Sequence, residues 1–85
     1  MMMKPIFIKE ANYVDRFTIF LRFSDGQKGA VDFKELLSLP IYEPLHDQDY
    51  FKQFTVNQWT ISWPNGADFA PEFLHDLVLK GSPIS

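Results

Sequence analysis

The sequence predicts a small two-layer α+β domain, with an antiparallel β-sheet of about four or five strands packed by two or three short helices. Three observations predict it. Phe17, Ile19, Leu21 and Phe23 alternate with Thr18, Phe20 and Arg22, the period of a strand with one buried face. Asp25-Gly26 falls between two apolar runs, a strong hairpin signal. Further on, Trp59-Thr60-Ile61-Ser62-Trp63 alternates again and passes through Pro64-Asn65-Gly66 to Pro71, a residue suited to the first position of a helix.

The elements follow in order. Ile6, Phe7 and Ile8 read as the first strand, with Pro5 at its start. Ala11 to Asp15 reads as a connection. After the Phe17–Phe23 strand, Lys28 to Phe33 is the return strand of a hairpin, with Val31 and Phe33 inward. Asp32 followed by Glu35 has the spacing of an acidic capping box. It predicts a short helix with Leu36, Leu37 and Leu39 as its stripe, stopped by Pro40. Ile41 to Leu45 reads as an ordered connection. A second short helix is expected over Gln48 to Phe54, capped by Asp47, with Tyr50, Phe51 and Phe54 inward.

Thr55-Val56-Asn57 reads as a brief strand or bend. In the tryptophan strand the alternation turns Trp63 inward and Trp59 with it. Pro64-Asn65-Gly66 forces a turn, because Pro sets its own φ and Asn-Gly readily takes positive φ. In the last helix Phe73, Leu74, Leu77 and Val78 form one apolar stripe, and Gly81-Ser82-Pro83 ends it. The whole chain, 1–85, reads as a single domain with frayed tails at 1–4 and 81–85.

Composition narrows the class. A chain of 85 residues without cysteine has no disulfide or thiolate-bound metal to brace it. Stability must come from apolar packing, and nine Phe, three Tyr and two Trp can supply it. So many rings exceed one thin core, so some are expected at a surface or subunit interface. The net charge of −3 makes the chain a poor default binder of phosphate backbones. No apolar run reaches the ~20 residues of a membrane span. The start of the chain is too short and too quickly charged for a signal peptide. A soluble cytoplasmic protein is expected.

Candidate chemistry is sparse. Asp68 and Glu72 flank the start of the last helix and would suit acid–base work or a hard cation. The local reading is preferred: carboxylates there complement the helix dipole, and Asp68 accepts from backbone donors of the preceding turn. His46 with Asp47 and Asp49, and His75 with Asp76, lack the paired spacing of zinc sites. His46 reads as satisfying a backbone group, and His75 as solvent-exposed. No serine has a nucleophile-elbow context, and the glycines are isolated. No catalytic residue, metal or cofactor is expected.

Phe23-Ser24-Asp25-Gly26, Val31-Asp32-Phe33 with Leu36-Leu37, Tyr42-Glu43-Pro44-Leu45, Phe51 and above all Trp63-Pro64-Asn65-Gly66-Ala67-Asp68-Phe69-Ala70-Pro71 carry a resemblance. Over about Ile6 to Leu77 the chain resembles the bacterial "domain of unknown function 2442" family. The resemblance implies a small α+β domain with an antiparallel sheet. Some relatives carry a C-terminal helix-turn-helix, and others sit beside small toxin-like proteins. For this chain, which ends at Ser85, that extension is expected to be absent. The family offers no catalytic residues to carry over. Trp63, Pro64, Asn65, Gly66, Asp68 and Pro71 are read as a structural motif.

The leading expectation is a non-enzymatic protein-interaction module, an antitoxin-like or regulatory partner in a small bacterial two-protein system. Its partner would be a second copy or a small neighbour protein. Strand alternation puts Thr18, Phe20 and Arg22 on the second face of the sheet, and they form the candidate interface. Cover of that face by the protein's own helices is the favoured alternative for Phe20. Two further functions stay open: a nucleic-acid-associated regulator with Lys4, Lys9, Arg16, Arg22, Lys28 and Lys34 as a basic face, and a small enzyme or cation binder using Asp68 and Glu72. Nucleic acid is not expected for this chain alone.

Overall fold

In the computed structural model, residues 5–80 are described. The expected frayed tails and the Gly81-Ser82-Pro83 helix stop lie outside them. Strands β1 (Ile8–Asp15), β2 (Thr18–Phe23) and β3 (Lys28–Asp32) form an antiparallel sheet in the order β1-β2-β3. Strands β4 (Thr55–Val56) and β5 (Ile61–Ser62) make a second, two-stranded antiparallel sheet. Helices α1 (Gln48–Phe51) and α2 (Pro71–Leu79) complete the second layer with two 3-10 segments, Lys34–Leu36 and Pro40–His46.

The β2–β3 hairpin follows the pattern. Ile19, Leu21, Phe23, Val31 and Phe33 are fully buried on one side. The first strand differs: it runs from Ile8 to Asp15 and takes in the expected connection. Register shifts between Ile8 and Glu10 and between Tyr13 and Asp15 change the side-chain phase. Ile8 therefore faces inward with the odd-numbered Ala11 and Tyr13, which no simple alternation shows.

Two turns share one geometry. Gly26 N–H donates to the Phe23 carbonyl (3.0 Å) and Phe23 N–H to the Gln27 carbonyl (2.8 Å). Gly66 N–H and Trp63 N–H repeat this with the Trp63 and Ala67 carbonyls, each at 2.9 Å. Both are three-residue loops closed by a positive-φ glycine, Gly26 at 93° and Gly66 at 91°. Before each glycine, a side chain accepts from the backbone two residues on: Asp25 from Gln27 at 3.0 Å and Asn65 from Ala67 at 3.1 Å. The tryptophan stretch therefore continues as a hairpin, with Ser62 bridged to Asp68 and the buried Thr60 hydroxyl donating to the Phe69 carbonyl at 2.6 Å.

Several local expectations are corrected. Asp32 accepts from Lys34 N–H at 2.9 Å, which starts a 3-10 turn in place of an α-helix, and Leu39 is exposed. Pro40 begins a 3-10 segment rather than only ending a helix. Trp59 is exposed because the Asn57 side chain accepts from both Trp59 and Thr60 N–H (2.7 and 2.8 Å), bending the chain before the strand begins. Helix α1 is capped by Asp47 as expected, but it is one turn long.

The core lies between the sheet's inner face and the helices. Phe51 of α1 meets the rings of Tyr13, Phe17, Phe33 and Trp63 at centroid distances of 5.3–6.4 Å. Trp63 Nε1–H donates to the buried Phe51 carbonyl at 2.7 Å. Helix α2 starts at Pro71 as expected and buries Leu74. It comes close to β3 at Gly29, where a Cβ would stand 3.1 Å from Val78 Cγ1. Phe73 departs from the expected stripe and is exposed.

Candidate functional site

The outer face of the three-stranded sheet carries Thr18, Phe20 and Arg22, all half-buried. Every fully buried residue of this sheet points to the other side, and α1 and α2 pack there. Among the described residues, the favoured cover of Phe20 by the protein's own helices is therefore not found. Phe20 lies in register between Asn12 and Ala30. Arg22 Nε donates to Glu10 Oε1 at 2.9 Å. Bonds from Asn12 and Arg22, and then the guanidinium charge, hold the Glu10 carboxyl below its usual range.

A second surface lies on the helical layer. Leu36, Leu39, Tyr42, Phe69 and Phe73 line a groove of about 390 Å³ between the 3-10 segments and the start of α2. Tyr42 and Phe69 stack at 4.7 Å and 6°, and Phe69 and Phe73 at 6.4 Å and 14°. Three near-parallel rings thus form one wall. Leu39 and Phe73, 58% and 44% exposed, stand at its mouth.

The sequence motif holds this groove together. Asn65 Nδ2 donates to the Ile41 carbonyl at 2.9 Å, and Tyr42 Oη–H donates to the Asp68 carbonyl at 2.9 Å. The Asn65 side chain therefore shapes its own turn and also fixes the Pro40–His46 segment, a partner 24 residues away. It is Asn65, not Asp68, whose side chain accepts from the turn backbone. Asp68 is exposed and lines the groove with Glu35; Glu72, in the first turn of α2, is also exposed.

Tyr42 has a raised pKa, chiefly because burial penalises the phenolate and secondarily because Asp68 is negative. The folded phenol keeps its proton to higher pH than the unfolded one. Its contribution to stability is complete below about pH 10 and is lost as pH rises through the folded value. Asp68→Asn is expected to move Tyr42 ionisation down toward the ordinary range. The check is tyrosinate absorbance against pH, with Tyr42→Phe identifying the signal; an unchanged titration would remove the Asp68 charge as a cause.

The histidines have structural partners. His46 Nε2 donates to the Leu37 carbonyl at 2.7 Å, tying the two 3-10 segments. His75 is not simply solvent-exposed, as its sequence position suggested. Its Nε2 lies 2.7 Å from Asp25 Oδ2, and its ring meets Phe23 edge-on at 5.0 Å. The contact pins α2 to the β2–β3 turn across 50 residues of chain. Among the described residues no group of three or more His, Cys, Asp or Glu side chains could hold a metal ion.

The alternative basic face is divided. Lys4 lies outside the described residues, Arg22 pairs with Glu10, and Arg16 and Lys34 share a cleft of about 500 Å³ with Asp15, Asp32 and Glu35. Mixed signs in one cleft select no single charged ligand. Among the described residues no helix is long and apolar enough to cross a membrane.

These observations define a class: a small α+β domain with a one-sided antiparallel sheet and an apolar groove beside an Asn-Gly hairpin. A family model described as "Protein of unknown function (DUF2442)" matches residues 8–78, and the chain belongs to that family. Comparison with curated proteins and with solved structures found no match.

Proposed function

We propose that this chain is a non-enzymatic, cytoplasmic protein-interaction module, an antitoxin-like or regulatory partner in a small bacterial two-protein system. One observation supports this reading most. Large apolar side chains stand at the surface although the inner face already holds a filled core: Leu39, Ile41, Trp59 and Phe73 are exposed while Phe33, Phe51, Trp63 and Leu74 are buried. Exposed apolar side chains of that size are stabilised when another protein covers them. The outer sheet face around Phe20 is a second surface of the same module.

The test is purification of the tagged chain from its native host, followed by reconstitution from purified components and light scattering. A stoichiometric complex with a small protein, or a concentration-dependent dimer, is expected. A concentration-independent monomer that recovers only itself would count against the reading.

A further inference from the structure

We infer that the groove between the 3-10 segments and the start of α2 receives a partner segment with an apolar anchor flanked by Lys or Arg. The inference rests on the reading of the chain as an interaction module and names the site and the chemistry of its partner.

Shape argues for a protein segment. Small-molecule pockets enclose most of their ligand. Here the apolar surface spreads outward, since Leu39 and Phe73 are roughly half exposed at the mouth. The wall is ready for an inserted side chain. Tyr42, Phe69 and Phe73 are stacked, and bonds from Asn65 and Tyr42 join the 3-10 segment to the hairpin before any partner arrives. A preformed wall lowers the ordering cost of binding.

Charge argues for the flanking residues. The charged side chains that line the groove are Glu35 and Asp68, both acidic. An acidic edge beside an apolar floor favours a cation next to an apolar anchor and disfavours an acidic segment. An Arg there could also lie flat on an aromatic ring.

The test uses displayed random peptides of about twelve residues, selected on the wild-type chain. Enriched peptides are expected to place Lys or Arg within about three positions of a large apolar residue. They should bind Leu39→Ser and Phe73→Ser at least about tenfold more weakly. Asp68→Asn should weaken them less, and raising salt from about 0.05 to about 0.5 M should weaken binding to wild type. Both serine variants alter exposed side chains, and far-UV dichroism checks their folding. If either fails to fold, amide shifts of the wild-type chain on adding the peptide decide instead, with changes expected at Leu36, Leu39, Tyr42 and Phe73. Peptides flanked by acids, equal binding to the folded serine variants, or shifts confined to the outer sheet face would overturn the groove assignment and leave the module reading standing. Failure to enrich any peptide would overturn the groove assignment, and the host purification would judge the module reading separately.

Discussion

Phe51→Ala is expected to destabilise the domain by about 3–5 kcal/mol, the cost of removing a fully buried ring from a core that only partly collapses. Phe51 is 0% exposed and touches four other rings, so no single neighbour can fill the space. Its carbonyl also receives the Trp63 indole N–H at 2.7 Å. A cavity there would loosen a buried hydrogen bond as well as the packing. Single small domains are stable by only about 5–15 kcal/mol, so the variant should lie close to unfolding. Urea titration followed by tryptophan emission reports the loss, because Trp63 sits against the altered position. A loss below about 1.5 kcal/mol would mean that the ring cluster is not the centre of the core.

Leu74→Ala is expected to cost about 2–5 kcal/mol and to act first on α2. Isolated helices shorter than about 12–15 residues are marginal in water. Helix α2 spans nine residues, and its N-cap Ala70 offers no side-chain acceptor. Tertiary contacts must therefore hold it: Leu74 at 0% exposure, Val78 over Gly29, and His75 on Asp25. Hydrogen exchange should show the amides of Leu74 to Leu79 losing protection more than those of β2. Uniform loss across helix and sheet would show that α2 does not open on its own.

Much of the fold was legible because its causes are local. The alternation of Phe17 to Phe23 follows from the two-residue period of a strand, and it places Ile19, Leu21 and Phe23 correctly. Asp25-Gly26 and Asn65-Gly66 were readable as turns because positive φ is a property of the residue itself. Asp47 and Pro71 marked helix starts for equally local reasons. The first strand escaped because two register shifts break its period, and the Pro40–His46 segment escaped because prolines at 40 and 44 leave no clear helical pattern. Trp59 departs from the alternation because an Asn57 turn interrupts it.

The candidate site was less legible. Its wall joins Leu36, Leu39 and Tyr42 to Phe69 and Phe73, about 30 residues along the chain, and no spacing rule connects them. One signal was available in the surplus of aromatic rings, which called for some at the surface; it could not say which.

By itself the sequence determined the inner face of the β2–β3 hairpin, the two glycine turns and the start of α2, because each depends on backbone preferences within a few residues. Only the tertiary structure decided that Asn65 clamps a distant segment, that His75 meets Asp25, and that three rings line an open groove. Those contacts join residues far apart in the chain, and their geometry exists only after the layers have packed.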